Sequence, residues 1–335
     1  MSALVKDLGE FELIERLLTA LPDAARGIGT VSGQQDDCAY WTTDVGTSVV
    51  TTDALVDGIH FRLDWIDWRS LGHKMLAVNL SDLASMGCTP TVVLVTLALT
   101  GDELVSDLEE MYRGAGELAV AYDVAIVGGD IVRTPGPLTV SVTAFGRQAE
   151  RRPLMLRSAA RPGDRVLVSG TLGASAAGLR LLEDDRRDAT TADLLIGAQL
   201  RPSPRISLGQ VLVAVGVRCC MDVSDGFSGD LPKILAASGV GARIDLDLLP
   251  VLPAVRALFP NDWQHLAFYG GEDYELLCTV SPDDVDNVIT VAESVGATMT
   301  VVGEITADSD LVYFDRGVRV PDQKSGAWDH FGGER

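Results

Sequence analysis

The run WRSLGHKMLAVNLSDLASMGCTPTVVLVTLAL, residues 68–99, decides how the first half of this chain is built. Over 68–86 the apolar positions Leu71, Met75, Val78, Leu80 and Leu83 recur at helical spacing, Gly87 breaks the pattern, and TVVLVTLAL (91–99) is a β-rich run. A helix leading straight into a strand predicts an α/β arrangement. Asp82 interrupts the apolar helix, where a solvated surface would not place a carboxylate.

Upstream, EFELIERLLTAL (10–21) has helical periodicity limited by Pro22, and CAYWTT (38–43) and TSVVTTD (47–53) read as strands joined tightly through Asp44-Val45-Gly46, the second ending at Asp53. Downstream, a helix over about 102–121 and a strand VAIV (124–127) lead into Gly128-Gly129-Asp130, and LTVSVTAFG (138–146) follows. The stretch 150–165 mixes prolines, a glycine and arginines, which suits an interdomain connection. We expect a first domain over 1–149 and a second over 150–335. The second reads as strand RVLVSG, helix ASAAGLRLL, helices over 191–200 and 205–215, strand CCMDVSDG, helix FSGDLPKILAAS, strand ARIDLDL and a strand-helix-strand region from 274 to 303. The fold class is α/β (α+β), sheets covered by helices.

With 335 residues, 47% hydrophobic and 22% charged, the chain can form one large or two medium cores. Its net charge of −21 repels polyanions, so nucleic acid and anionic membranes are poor partners. Only four of the 27 basic residues are lysines: Lys6, Lys74, Lys233 and Lys324. No apolar run reaches membrane-spanning length and the N-terminus lacks a signal-peptide layout, so a soluble cytoplasmic protein is expected. The five cysteines show no CxxC spacing, which predicts buried reduced thiols.

Magnesium takes oxygen ligands in an octahedron, so a metal-nucleotide site needs several converging carboxylates. Asp36-Asp37 precede a β run, Asp53 closes another, Asp130 follows VAIVGG, and Asp222 and Asp225 leave a strand in MDVSDG; Asp82 is the helical member. Gly128 and Gly129 lack a Cβ that would keep phosphate from backbone N–H groups, and Gly170 and Gly173 precede a helix whose N-terminus could face an anion. Neither GxxxxGK[ST] nor GxGxxG is present, which indicates neither a P-loop nor a dinucleotide fold.

The blocks DDCA (36–39), TTDALVDGIHF (51–61), AVNLSDLASMG (77–87), GGD (128–130), LRSAARPGD (156–164), LRPSPR (200–205), DVSDG (222–226) and GGEDYEL (270–276) closely resemble the thiamine-monophosphate kinases of the aminoimidazole-ribonucleotide synthetase superfamily. The resemblance runs from Gly9-Glu10-Phe11 to Trp328-Asp329-His330-Phe331. It implies a two-domain synthetase-like fold whose first domain has a mixed sheet and dimerises. It also implies ATP and thiamine monophosphate as substrates, direct in-line transfer, several Mg2+ ions, and a monovalent cation as a further candidate cofactor. Carried over motif by motif, metal ligands fall on Asp37, Thr51, Thr52, Asp53, Asp82, Asp130, Asp222 and Asp225. Nucleotide contacts fall on Gly129, Arg157, Ser224 and Tyr112, and substrate contacts on His60, Glu272 and Trp328. Asp130, Arg157 and Asp222 are the expected catalytic residues. The implied homodimer would bring edge strands of the first domain, TVVLVTLAL among them, to a twofold contact.

Read alone, His60 is a hydrogen-bonded structural histidine, Glu272 a solvated loop carboxylate and Arg157 a surface residue. Trp328 could stack on a cationic ring or sit at the edge of a core. The chain departs from the family pattern at Gln35, where glycine commonly precedes the paired aspartates, and at Ile131, where threonine is frequent. Two rival readings stand beside the kinase. One is another superfamily member acting on formylglycinamidine ribonucleotide or selenide, although selenide chemistry wants a reactive N-terminal cysteine and the first here is Cys38. The other is a noncatalytic nucleotide sensor, which would have lost acidic ligands this chain keeps.

Overall fold

The computed structural model describes residues 32, 36–44, 46–149, 153–187 and 191–321. The helix expected over 10–21, Gln35 and Trp328 lie outside them.

Strands β1 (Ala39–Thr43) and β2 (Gly46–Val56) form the expected hairpin, with Thr43 opposite Gly46. β2 does not stop at Asp53. Antiparallel pairing with β5 (Thr139–Ala149) carries it on to Val56, so Asp53 lies inside a strand opposite Val142. Helix α1 (Trp68–Ser85) is capped by Asp67, whose side chain accepts from the Ser70 N–H. Almost every side of α1 is buried, including Lys74, Asn79, Ser81 and Ser85. Then come β3 (Thr89–Leu99), α2 (Val105–Ala121) and β4 (Ala125–Arg133). α1 and α2 pack backbone to backbone. A Cβ on Gly72 would lie 1.7 Å from Met111 O, and one on Gly114 1.8 Å from Arg69 O.

The first sheet has the order β1-β2-β5-β3-β4, antiparallel except for the parallel β3/β4 pair. β3 therefore lies inside the sheet, between β5 and β4, and is not the edge strand expected at a twofold contact; the edges are β1 and β4. β4 also runs straight through Gly128-Gly129-Asp130, where the sequence suggested that a strand had ended. Parallel pairing of Leu94 to Leu99 with Gly128 to Arg133 holds it extended. A Cβ on Gly129 would sit 1.7 Å from Val95 O, so the close approach of β3 demands glycine there.

The second half forms β6 (Arg165–Ser169), α3 (Ala174–Glu183), α4 (Ala192–Leu200), α5 (Ile206–Ala214), β7 (Cys219–Asp222), α6 (Phe227–Ser238), β8 (Gly241–Asp245), α7 (Pro253–Leu258) and α8 (Trp263–Tyr269). It closes with β9 (Leu276–Val280), α9 (Val285–Ser294), β10 (Met299–Thr306), β11 (Leu311–Asp315) and β12 (Val318–Arg319). Its sheet runs β12-β11-β8-β10-β6-β9-β7, antiparallel except for β8/β11. The short α7, α8, β11 and β12 were not read from the sequence, because too few residues repeat in each.

The hydrophobic core does not break near residue 150. Leu71, Met75 and Leu83 of α1 share one cluster with Leu212, Cys220, Leu276, Cys278 and Met299, so α1 is a buried layer between the two sheets. Along β6 the side chains alternate. Leu167 joins that cluster, while Val166 and Val168 join a second one with Phe227, Leu231 and Ile244 on the sheet's far face. All five cysteines are buried and free. No helix among the described residues is long and apolar enough to cross a membrane.

Candidate active site

The polar turns of α1 face the carboxyl end of β7 and the loop before β1, and three carboxylates converge there. Asp37, Asp82 and Asp222 each present an oxygen, all within 4.8 Å of one another. A hydroxyl orients each of them. Thr51 Oγ1 donates to Asp82 Oδ2 at 2.5 Å, Ser81 Oγ to Asp222 Oδ2 at 2.6 Å and Ser85 Oγ to Asp37 Oδ2 at 2.6 Å. Asp53 is placed beside them: its backbone N–H donates to Asn79 Oδ1 at 3.1 Å.

Burial pushes the Asp82 carboxyl well above its ordinary range, and the charges of Asp53, Asp222 and Asp37 push it further. Asp222 is raised in the same way by burial and then by Asp37, against the hydrogen bond from Ser81. Crowded, desolvated carboxylates of this kind call for a hard cation, and an all-oxygen donor set suits magnesium. The residues present fit such an ion.

Arg157 follows the connection between the two halves, and its guanidinium pairs with Asp37, through Nε at 3.2 Å and through Nη2. Its backbone N–H donates to Asp36 Oδ1 at 2.7 Å. It is therefore a half-buried partner of the acidic cluster rather than a surface arginine. Asp225 accepts from Lys233 Nζ at 2.5 Å, and the same ammonium reaches the fully buried Asp230 at 2.8 Å. Asp230 in turn accepts from the backbone N–H groups of Ser224 and Asp225, which shapes the turn after β7.

That turn is stitched to the loop before β9. Glu272 N donates to Ser224 O at 2.7 Å and Tyr274 N to Val223 O at 2.9 Å. Glu272 is no solvated loop carboxylate, since its Oε1 lies 2.8 Å from Lys74 Nζ and its Oε2 accepts from Gln199 Nε2 at 2.5 Å. Lys74 also donates to the carbonyl of His60 at 3.4 Å, so two expected substrate contacts 212 positions apart meet on one ammonium. His60 Nδ1 accepts from the Val56 N–H.

Other candidates stand elsewhere. Thr52 Oγ1 bonds Thr143 Oγ1 at 3.1 Å on the face of the first sheet turned away from α1. Asp130 pairs with Thr96, whose neighbours Val95 and Leu97 point into the core, so alternation puts Asp130 on that same outer face. Three strand spacings, about 14 Å, separate β4 from β2. Tyr112 is 39% exposed on the solvent side of α2. The α3 N-terminus, expected to face a bound anion, is already taken: Gly173 N and Ser175 N donate to the half-buried Asp273 carboxyl. Lys74, Asn79, Ser81, Ser85, Gln199, Lys233 and Asp230 were not singled out from the sequence. The signal available for the α1 members was polar side chains in an otherwise apolar helix.

Residues 35–148 match the family described as AIR synthase related protein, N-terminal domain, and residues 161–316 match its C-terminal domain. The thiamine-monophosphate kinase of Bacillus subtilis is 34% identical over 331 residues, covering 97% of this chain and all of that protein. The Escherichia coli K12 enzyme of the same name is 39% identical over 332 residues, covering 96% and 98%. Among solved structures, AaThiL complexed with AMPPCP and TMP superposes with a TM-score of 0.83 at 29% identity, covering 98% of this chain and 99% of that one. The thiamine-monophosphate kinase of Stenotrophomonas maltophilia reaches 0.76 at 36% identity, covering 93% and 98%. Escherichia coli HypE, a hydrogenase maturation protein, shares the fold at 0.66 and 21% identity, over 83% of this chain and 87% of that one.

Proposed function

The chain belongs to the thiamine-monophosphate kinase family, and we propose that it transfers the γ-phosphoryl group of ATP directly and in line to thiamine monophosphate, forming thiamine diphosphate and ADP. The observation that carries this reading is the convergence of Asp37, Asp82 and Asp222, partly to fully buried and mutually repelling, between the two sheets. Phosphoryl transfer needs positioning and charge neutralisation rather than a protein nucleophile. Magnesium, when bound, supplies that neutralisation at the phosphate oxygens. Asp37, Asp82 and Asp222 would hold it, with Thr51, Asp53 and Asp225 as further ligands. Arg157 and Ser224 meet the nucleotide phosphates; His60, Glu272 and Trp328 meet thiamine monophosphate.

A twofold dimer accounts for Thr52, Gly129, Asp130 and Tyr112. The outer face of the first sheet is covered by no helix of the described residues and exposes Leu94, Val127 and Val132 beside Thr96 and Asp130. A second copy over this face buries those side chains and carries Asp130, Gly129 and Tyr112 of each chain to the acidic cluster of the other. A cytoplasmic setting is part of the same proposal, because ATP is made and held there.

The test is to incubate purified protein with ATP, magnesium and thiamine monophosphate and to follow thiamine diphosphate by chromatography. Free thiamine offers only a neutral hydroxyl and should turn over poorly. Absence of product, or comparable turnover of free thiamine, overturns the assignment.

A further inference from the structure

We infer that Lys74 is the positioning residue of the substrate pocket, fixing the Glu272 carboxylate as an acceptor for N–H groups of the bound substrate. This rests on the kinase reading above. Lys74 comes from α1 in the first half, yet its ammonium, 1% exposed, is spent on the second: Glu272 Oε1 at 2.8 Å, Gln199 O at 3.2 Å and, within its own half, His60 O at 3.4 Å. Three donors meet three acceptors, which leaves no N–H of this ammonium for a ligand. Its charge therefore acts through Glu272.

Glu272 needs such support. It has φ +63°, a left-handed backbone that costs a non-glycine residue free energy, and its side chain is 27% exposed, within reach of a ligand from solvent. Gln199 braces its other oxygen, and Ser175 Oγ hydrogen-bonds the Gln199 amide oxygen in turn. With one lone pair on each oxygen engaged, the others remain for a ligand, and a carboxylate paired to a buried ammonium accepts but does not donate. Such a group selects N–H donors, such as an exocyclic amine, and discriminates against an acceptor at the same place. The use of lysine is itself informative. Of four lysines in the chain, the two among the described residues, Lys74 and Lys233, both pair with carboxylates, Lys74 fully buried and Lys233 partly so.

The experiment compares wild type, Lys74→Met, Glu272→Gln and the double variant in steady-state kinetics, with thermal melts for each. Lys74→Met should raise the KM for thiamine monophosphate at least tenfold and leave the KM for ATP within twofold. The double variant should match Glu272→Gln, since Lys74 has nothing to position once the carboxylate is gone. A purely structural lysine would instead lower the melting temperature and raise both KM values together, and that result overturns the inference, as does additivity in the double variant. Should Lys74→Met fail to fold around an unpaired carboxylate, Glu272→Gln against the double variant carries the same comparison. Wild-type turnover of thiamine monophosphate tests the kinase reading separately.

Discussion

Arg157 and Asp37, 120 residues apart, form an ion pair whose aspartate is 2% exposed, and this pair brings one positive charge to a cluster of three carboxylates. One guanidinium cannot offset Asp37, Asp82 and Asp222 together. Divalent cations should therefore stabilise the protein. At magnesium concentrations about a hundred times the dissociation constant, unfolding becomes harder by roughly 2.7 kcal/mol, read as a rise in melting temperature. Asp222→Asn should lose most of that rise and most turnover, while melting no lower than wild type without magnesium. An equal magnesium response in both proteins counts against the cluster as the metal site.

Subunit mixing tests the placement of Asp130. If Asp130 of one chain serves the other chain's cluster, Asp130→Ala and Asp222→Asn are each nearly inactive, yet refolding them together yields heterodimers with one complete site. At equal amounts, random pairing restores about a quarter of wild-type activity. No recovery would mean that Asp130 acts within its own chain or not at all.

Arg205 holds the buried Glu275, through Nε at 2.8 Å and through Nη2, and the Glu275 side chain is only 5% exposed. Arg205→Ala strands that charge and should cost about 3 kcal/mol in urea unfolding, because a buried carboxylate without its partner is expensive. Arg205→Met with Glu275→Gln should recover much of the loss. If the single variant unfolds like wild type, the pair is not holding the β9 loop.

Asp273 sets a pH dependence. Burial pushes its carboxyl up to about 8, against the backbone N–H groups of Gly173, Ser175 and Ala174 that favour the anion. Its folded-state value lies above the ordinary 3.8, so the native protein binds the extra proton across this interval. The stabilising share is complete at the acid end and is lost as pH rises toward 8, with a slope of at most about 1.4 kcal/mol per pH unit. Asp273→Asn should flatten the pH profile of unfolding free energy between pH 5 and 8, measured by urea denaturation.

The alternation that makes α1, β3, β5 and most of the second half visible in the sequence is local, so those elements were legible without coordinates. The run of short blocks from DDCA to GGEDYEL likewise carried the family. Local patterns stop at the strand end: Asp53 and Asp130 both read as strand-end carboxylates, and both lie inside strands because pairing with β5 and β3 extends β2 and β4.

What a linear pattern could not contain is which side chains share a face. That depends on strand order, and the order β1-β2-β5-β3-β4 sends Asp130 to the outer face while Asp53 stays against α1. The same holds for Lys74, one of many positions in an apolar helix until α1 is buried between two sheets and its ammonium must find acceptors there. Sequence alone determined most of the longer elements, the family and the supply of carboxylates. Tertiary structure decided which of them repel one another, which are neutralised by lysine or arginine, and which are left to a second subunit, because burial and Coulomb forces act through space rather than along the chain.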